Sequence, residues 1–269
     1  MTEMTVRRLN GINLHTAEFG TGDPVVLIPG TGARGSIFRA HQVPALVEAG
    51  FQAVAVDNRG VPPTDRCVEG FTLADMVGDV AALIEDLGAG PCRVVGFSMG
   101  AIVVQELLVA RPDLVSRAVL MATRGRTDPL SSAHTEGELA MLDRGVKLPP
   151  RFEAAMRVYT GFSRRTQRDE RTVRNWLDLF EMSIESSEPS RSQLELEGIP
   201  DRRDAYRRIS TPTLVLAFGE DVLTPPHLCR EVADAIPGAM FREIPGCGHF
   251  GHVEDPHTVN EAIIAFLRG

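Results

Sequence analysis

Short apolar runs alternate with stretches of helical spacing along most of the chain. The runs predict eight strands, at residues 4–9, 12–19, 25–29, 52–57, 92–97, 117–122, 213–219 and 240–245. Helices are predicted between them, at residues 38–49, 72–87, 99–110, 226–236 and 256–268. Several runs, such as VVLIP, contain no polar position, which is typical of strands buried on both faces of a parallel sheet. The pattern therefore predicts an α/β fold built on one mostly parallel sheet.

The alternation stops across residues 123–210. This stretch shows helical patterns such as GELAMLDRGV and RTVRNWLDLFEMSI, and no convincing strand. The strand pattern then resumes with TPTLVLAFG. We therefore expect one core domain formed by residues 1–122 and 211–269, with residues 123–210 inserted after the sixth strand as a helical cap.

The most specific motif is GFSMG at residues 96–100, a G-x-S-x-G that follows an apolar strand and opens an apolar helix. A serine in that position sits on a sharp strand-to-helix turn, where side chains at the two glycine positions would collide with neighbouring backbone. The turn lifts the hydroxyl of Ser98 above the sheet. The backbone N–H of Met99, at the helix N-terminus, then points to where negative charge develops during acyl transfer. The motif predicts a nucleophilic serine, and its alternative is a tight turn without chemistry.

A serine hydroxyl needs a general base, and the base needs an orienting acid. His249 lies in the glycine-rich segment PGCGHF just after the last predicted strand, at the carboxyl edge of the sheet. Asp221, in FGEDVLTPP, follows the seventh strand at the same edge. His252 and Glu220 are the rivals for base and acid because they lie close by in sequence. The chain thus offers a serine, an acid and a histidine in that order.

These residues resemble the α/β-hydrolase superfamily over nearly the whole chain. DNRG at residues 57–60 is similar to the D-x-R-G turn of that family, and HFGHVEDP at residues 249–256 is similar to its closing motif. The resemblance selects His249 over His252 as the base. It implies the α/β-hydrolase fold, in which a mostly parallel eight-stranded sheet is flanked by helices and carries a cap after the sixth strand.

The resemblance also implies an oxyanion loop after the third strand. The family usually has HGx there, whereas this chain has Pro29, Gly30 and Thr31, so that Pro replaces His. Carried over to this chain, the N–H of Thr31 is the second oxyanion donor beside that of Met99. Because the donor is a backbone group, the loss of His need not matter.

The same segment has a second interpretation. Residues 30–35 match the GxGxxG of a dinucleotide-binding turn, and Asp57 ends the next strand at about the expected distance. Such a turn must run straight into a long helix, and Pro44 would break a helix in that place. We therefore do not expect dinucleotide binding.

More narrowly, GFSMGAIVVQELLVARPDLVSRAVLMATRGR, FGEDVLTPP and IPGCGHFGHVEDP are similar to actinobacterial proteins labelled non-haem bromoperoxidase-like hydrolases. For that group, the resemblance implies that halide oxidation arises from a peracid made at the Ser-His-Asp site, without metal or haem. The sequence has no HExxH, no CxxCH and no clustered set of carboxylates and histidines. We expect a site that uses no metal and no cofactor.

The charge and the apolar content of the chain limit the classes of molecule that it is expected to bind. The chain has 28 Lys and Arg against 36 Asp and Glu, and its net charge of −8 disfavours nucleic acid. No apolar run reaches the roughly 18 residues of a membrane span, and the N-terminal MTEMTVRRLN lacks the apolar core of a signal peptide. We expect a cytoplasmic protein with a small-molecule substrate and without nucleic-acid or membrane partners. The sequence leaves open whether the chain forms a homo-oligomer.

Together these observations predict a serine hydrolase that cleaves a carboxylic ester or related acyl compound through an acyl-enzyme, with perhydrolase activity as a secondary property. Two alternatives stay open. One is a ligand receptor that keeps the three residues. The other is a carbon–carbon bond hydrolase or lyase acting on an acidic metabolite, whose carboxylates would pair with arginines of the cap. The candidate arginines are Arg124, Arg126, Arg157, Arg164, Arg165, Arg168, Arg171 and Arg174.

Overall fold

The computed structural model describes residues 2–183 and 190–269. Eight strands form one sheet. They are β1 (Thr2–Leu9), β2 (Ile12–Phe19), β3 (Pro24–Ile28), β4 (Gln52–Asp57), β5 (Cys92–Phe97), β6 (Val115–Met121), β7 (Thr213–Phe218) and β8 (Met240–Ile244). All eight predicted strands are confirmed, because no end is more than two residues from its expected place.

The described residues also form α-helices between the strands and at the end of the chain. They are α1 (Gln42–Glu48), α2 (Leu73–Leu87), α3 (Met99–Ala110), α4 (Pro129–Asp143), α5 (Pro150–Gly161), α6 (Arg164–Gln167), α7 (Glu170–Ser183), α8 (Arg191–Glu195), α9 (Arg203–Tyr206), α10 (Pro226–Ala235), α11 (Gly251–Glu254) and α12 (Pro256–Arg268). Short 3-10 helices cover Gly35–Phe38 and Pro112–Leu114. Within this part of the chain, no helix is long and apolar enough to cross a membrane.

The sheet is mostly parallel, as predicted. Its strand order is β1-β2-β4-β3-β5-β6-β7-β8. Only β2 runs against its neighbours, and the other pairings are parallel. Every residue of β3 and β7 is buried. One apolar cluster joins alternate strand residues to α2, α3 and α10, and a second joins the residues between them to α1 and α12, so helices cover both faces.

The helix predicted at residues 38–49 begins later than expected. The chain first forms the 3-10 helix Gly35–Phe38, and α1 starts only at Gln42. Pro44 therefore lies in the first turn of α1, where a backbone N–H has no acceptor within the helix and its absence is harmless. Pro44 does not break the helix, which corrects the sequence argument. The glycine-rich turn still leads into a four-residue 3-10 helix and not into the long helix of a dinucleotide-binding fold.

The described part of residues 123–210 is helical, and it lies between β6 and β7 in the chain. It forms α4 to α9, which we call the inserted helices, and it contains no strand. α5 packs against α7, and α4 packs against α8. An aromatic cluster connects this insertion to the core, because the ring of Phe162 lies 4.9 Å from that of Trp176 and 5.3 Å from that of Phe250.

Candidate active site

Ser98 occupies a strained turn between β5 and α3. Its φ of +54° lies in a region that residues other than glycine rarely adopt. Two hydrogen bonds hold the turn, since the Ser98 N–H donates to Met121 O at 2.9 Å and the Ser98 carbonyl accepts from Ala101 N–H at 2.9 Å. A β-carbon at Gly96 would lie 2.6 Å from the Ala101 Cα, and one at Gly100 would collide with the backbone of Ile28 and Pro29 at the end of β3. The geometric need for both glycines of the motif is as predicted.

The structure brings Ser98, His249 and Asp221 into one hydrogen-bonded chain. The Ser98 Oγ lies 3.1 Å from His249 Nε2, and His249 Nδ1 lies 2.8 Å from Asp221 Oδ2. The three residues follow β5, β8 and β7, so that the carboxyl ends of three parallel strands at one edge of the sheet supply them. His249 and Asp221 are both buried at 4% exposure, whereas Ser98 is partly accessible.

Asp221 is surrounded by donors. Its Oδ1 accepts the N–H groups of Leu223 and Thr224 at 2.8 and 2.9 Å, and its Oδ2 accepts the Thr224 hydroxyl at 2.6 Å. Burial opposes the charge of Asp221, but His249 and the Thr224 hydrogen bonds outweigh it and hold the pKa of this carboxyl below its usual range. An ionised Asp221 fixes the imidazole with its proton on Nδ1. Nε2 is then free to accept the proton of Ser98.

The two sequence rivals lie elsewhere. The ring of His252 is fully buried, packs 4.4 Å from that of Phe97, and finds no hydrogen-bond partner among the described residues. Burial, with smaller contributions from His249 and His41, lowers the pKa of His252 to about 3, which keeps the ring neutral. Glu220 instead accepts the N–H of Arg164 at 2.8 Å, at the start of α6. Asp221, not Glu220, contacts the imidazole.

The loop after β3 packs directly against the serine. A β-carbon on Gly30 would lie 3.0 Å from the Cβ of Ser98. The N–H of Thr31 in this loop and the N–H of Met99 at the start of α3 have no acceptor within residues 2–183 and 190–269. Two unpaired N–H groups beside a serine can stabilise a negatively charged oxygen.

The loop that carries the imidazole is fixed by the inserted helices. Phe250 N–H donates to Gly161 O at 2.8 Å. The carboxylate of Glu254 accepts both Gly248 N–H, at 2.5 Å, and the Ser163 hydroxyl, at 2.6 Å. Sequence reasoning missed Glu254 although it belongs to the closing motif, because its partners are distant in the chain.

Thr224 and Cys247 complete the surroundings of the acid and the base. The Thr224 hydroxyl also lies 3.3 Å from His249 Nδ1. Sequence reasoning missed Thr224, and the signal that could have found it is its position three residues after Asp221. Cys247, two residues before the imidazole, is fully buried. Burial raises the pKa of the Cys247 thiol to about 12, so Cys247 fills space as a neutral group.

The candidate arginines of the insertion are either paired with carboxylates or exposed. Three of them are occupied by carboxylates, in the pairs Arg124–Glu197, Arg126–Glu231 and Arg157–Glu153. The other five are exposed: Arg164, Arg165, Arg168, Arg171 and Arg174. Three of the eight arginines are therefore already neutralised by carboxylates of this chain.

Comparisons with known proteins identify the family of the chain. Residues 25–262 match the profile of the alpha/beta hydrolase family. The protein named "Putative non-heme bromoperoxidase BpoC" of Mycobacterium tuberculosis H37Rv is 48% identical over 257 residues, covering 95% of this chain and 98% of that protein. Its crystal structure has a TM-score of 0.91 at 46% identity and covers 96% of both chains.

Two other relatives carry names of hydrolases. A thermophilic esterase of Thermogutta terrifontis, solved with malate bound, has a TM-score of 0.83 at 28% identity, covering 100% of this chain and 98% of that chain. The protein named "Putative carbamate hydrolase RutD" of Variovorax paradoxus is 25% identical over 256 residues, covering 94% of this chain and 96% of that protein. On the family profile and the BpoC identity together, the chain belongs to the alpha/beta hydrolase family.

Proposed function

We propose that the protein is a serine hydrolase that cleaves a carboxylic ester or a related acyl compound through an acyl-enzyme. The observation that carries this proposal is the chain of contacts from Ser98 Oγ to His249 Nε2, at 3.1 Å, and from His249 Nδ1 to Asp221 Oδ2, at 2.8 Å. Nucleophile, base and orienting acid meet the distances that proton transfer requires.

The proposed reaction has two halves. His249 takes the proton of Ser98 as Oγ attacks the substrate carbonyl carbon, and the N–H groups of Thr31 and Met99 hold the resulting oxyanion. The imidazolium then gives its proton to the leaving oxygen, and the acyl group remains on the serine. A water molecule, deprotonated by His249, attacks this ester and releases the acid. Asp221 stays ionised throughout and stabilises the imidazolium.

No metal or cofactor is part of this proposal, because the serine supplies the nucleophile and the histidine moves the proton. We also propose that the inserted helices act as a cap that shapes the acyl pocket. The support is the contact of Gly161 and Ser163 with the loop that carries the imidazole. The names of the esterase and carbamate hydrolase relatives are consistent with acyl transfer at such a site.

Perhydrolysis follows from the same chemistry as a secondary activity. Hydrogen peroxide can replace water as the nucleophile on the acyl-enzyme, which releases a peracid and restores the serine. The peracid then oxidises bromide in solution and is itself reduced to the carboxylic acid. The name of the BpoC relative is consistent with this activity.

Sustained turnover of a p-nitrophenyl ester tests the proposal. We expect many turnovers per wild-type molecule and none above background for Ser98→Ala. Ser36→Ala, an exposed serine in the 3-10 helix after the oxyanion loop, is the matched control and should behave as wild type. A single slow turnover in wild type would instead indicate a receptor that retains the three residues.

A further inference from the structure

Two side chains of the insertion, more than 160 positions away in the chain, form hydrogen bonds with the oxyanion loop. The side chain of Gln193, which is fully buried, accepts the N–H of Gly32 at 2.8 Å. Its amide nitrogen donates to Arg59 O at 2.9 Å, which anchors the side chain at its other end. Glu197, just beyond α8, accepts the hydroxyl of Thr31.

These contacts fall on the two residues that flank the peptide following the proposed oxyanion donor, on Thr31 through its hydroxyl and on Gly32 through its N–H. The carbonyl of Gly30 accepts Ala33 N–H at 3.2 Å, and this carbonyl belongs to the same peptide as the Thr31 N–H and points the opposite way. Gly32 has a φ of +65°, as the third residue of a type II turn requires. The alternative type I turn would flip the peptide between Thr31 and Gly32. Gln193 therefore selects the observed turn.

Glu197 is itself held firmly. Arg124 Nη2 donates to the Glu197 Oε2 at 2.6 Å and to its backbone carbonyl at 2.7 Å. The side chains of Arg124 and Glu197 are only 6% and 16% exposed. A buried, charge-assisted pair has one preferred geometry, so the Glu197 carboxylate is a fixed anchor for the Thr31 hydroxyl.

We propose that Glu197, together with Gln193, is a positioning residue that holds the Thr31 N–H in the direction needed to stabilise the oxyanion. The inference rests on the proposed function. The segment around α8 thereby contributes to the site. Among the described residues, no other side chain bonds the Thr31–Gly32 peptide or the Thr31 hydroxyl.

Two substitutions break the anchor from opposite ends. Thr31→Val removes the hydroxyl but keeps the backbone N–H and the Arg124–Glu197 pair, and Glu197→Ala removes the acceptor. We expect kcat on a p-nitrophenyl ester to fall about 10- to 100-fold in either variant, as for a misplaced oxyanion donor, with KM nearly unchanged. Affinity for a boronic acid, which mimics the tetrahedral intermediate, should fall by the same factor.

Controls separate positioning from general loosening of the structure. Glu195→Ala removes an exposed carboxylate two residues away, which pairs with Arg191, and should leave kcat unchanged. The double variant Thr31→Val/Glu197→Ala should be no slower than the slower single variant, because both remove one contact. Glu197→Gln, which can still bond the hydroxyl, should recover part of the loss.

Amide exchange of Gly32 gives a readout that does not need turnover. The Gly32 N–H donates to Gln193 Oε1, so its exchange should be about tenfold faster in Gln193→Leu than in wild type, the factor expected on losing a hydrogen bond between neutral groups, and unchanged in Glu195→Ala. An unchanged kcat in Thr31→Val and Glu197→Ala, an unchanged Gly32 exchange in Gln193→Leu, or a change confined to KM would overturn the positioning role. Absence of ester turnover in wild type, with Gly32 exchange responding as expected, would instead reject the proposed hydrolase.

Discussion

Replacing Asp221 by Asn should disable the base by changing which imidazole nitrogen carries the proton. Oδ1 of Asp221 accepts two backbone N–H groups, from Leu223 and Thr224, so the amide oxygen of an Asn must take that place. The amide NH2 then lies where Oδ2 was, facing His249 Nδ1. Nδ1 is forced to accept, and the proton moves to Nε2, where it faces Ser98. A protonated Nε2 cannot accept the serine proton.

The size of the effect follows from the same contacts. The opposite amide orientation would leave one buried and one partly buried N–H group unpaired, at about 1–3 kcal/mol each. The disabled orientation is thus preferred by about 2–6 kcal/mol, which is roughly 30-fold to 10⁴-fold. Activity can come only from the minor orientation, so kcat should fall by a factor in that range, whose upper end equals the effect of neutralising a catalytic-triad aspartate.

The assay is kcat and KM for a p-nitrophenyl ester, with thermal unfolding measured on the same samples. KM should change little, because Asp221 is buried behind the imidazole of His249. Glu220→Gln makes the same isosteric change at the adjacent residue, whose carboxylate accepts Arg164 N–H, and should stay within about threefold of wild type. A loss below tenfold in Asp221→Asn, or a larger loss in Glu220→Gln, would refute the assignment of the acid.

Three further outcomes are expected. The pKa of His252 is about 3 in the folded protein and has its ordinary value of 6.5 in the unfolded chain, so acidification protonates His252 in the unfolded chain first. The contribution of His252 to the free energy of unfolding is therefore intact above about pH 6.5 and falls by roughly 1.4 kcal/mol per pH unit below it. His252→Leu should flatten that slope in urea unfolding between about pH 6.5 and 4.5, and an unchanged slope would contradict the burial argument. Gly100→Ala places a β-carbon 2.6 Å from Pro29 O and should lower kcat by about 100-fold or more, whereas near-normal activity would show that the loop can yield. Bromination of monochlorodimedone should require an added carboxylate such as acetate, survive a strong chelator and disappear in Ser98→Ala; bromination without carboxylate would exclude the peracid route.

The strands and the three proposed catalytic residues could be predicted because their signals are local. An apolar run specifies each buried strand, and parallel strands bring their carboxyl ends to one edge, so residues that follow β5, β7 and β8 meet there. The predicted start of α1 was wrong, because the pattern of apolar residues does not distinguish a proline in a helix interior from one in the first turn.

Contacts between distant segments could not be predicted. Gln193 and Glu197 reach the oxyanion loop only after the insertion has folded back over the sheet, and their sequence neighbours carry no signal of this. The same holds for Glu254 and its bonds to Ser163 and Gly248. Side chains that position catalytic groups through long-range hydrogen bonds depend on tertiary packing, which periodicity does not encode.

Labelling with a fluorophosphonate probe, followed by peptide mapping, tests the central claim that Ser98 is a nucleophile activated by His249. Wild type should carry a single adduct, on Ser98. Ser98→Ala should carry none, and His249→Gln should label far more slowly, with both variants folded by circular dichroism. An adduct on another serine, or labelling of His249→Gln at the wild-type rate, would contradict the account.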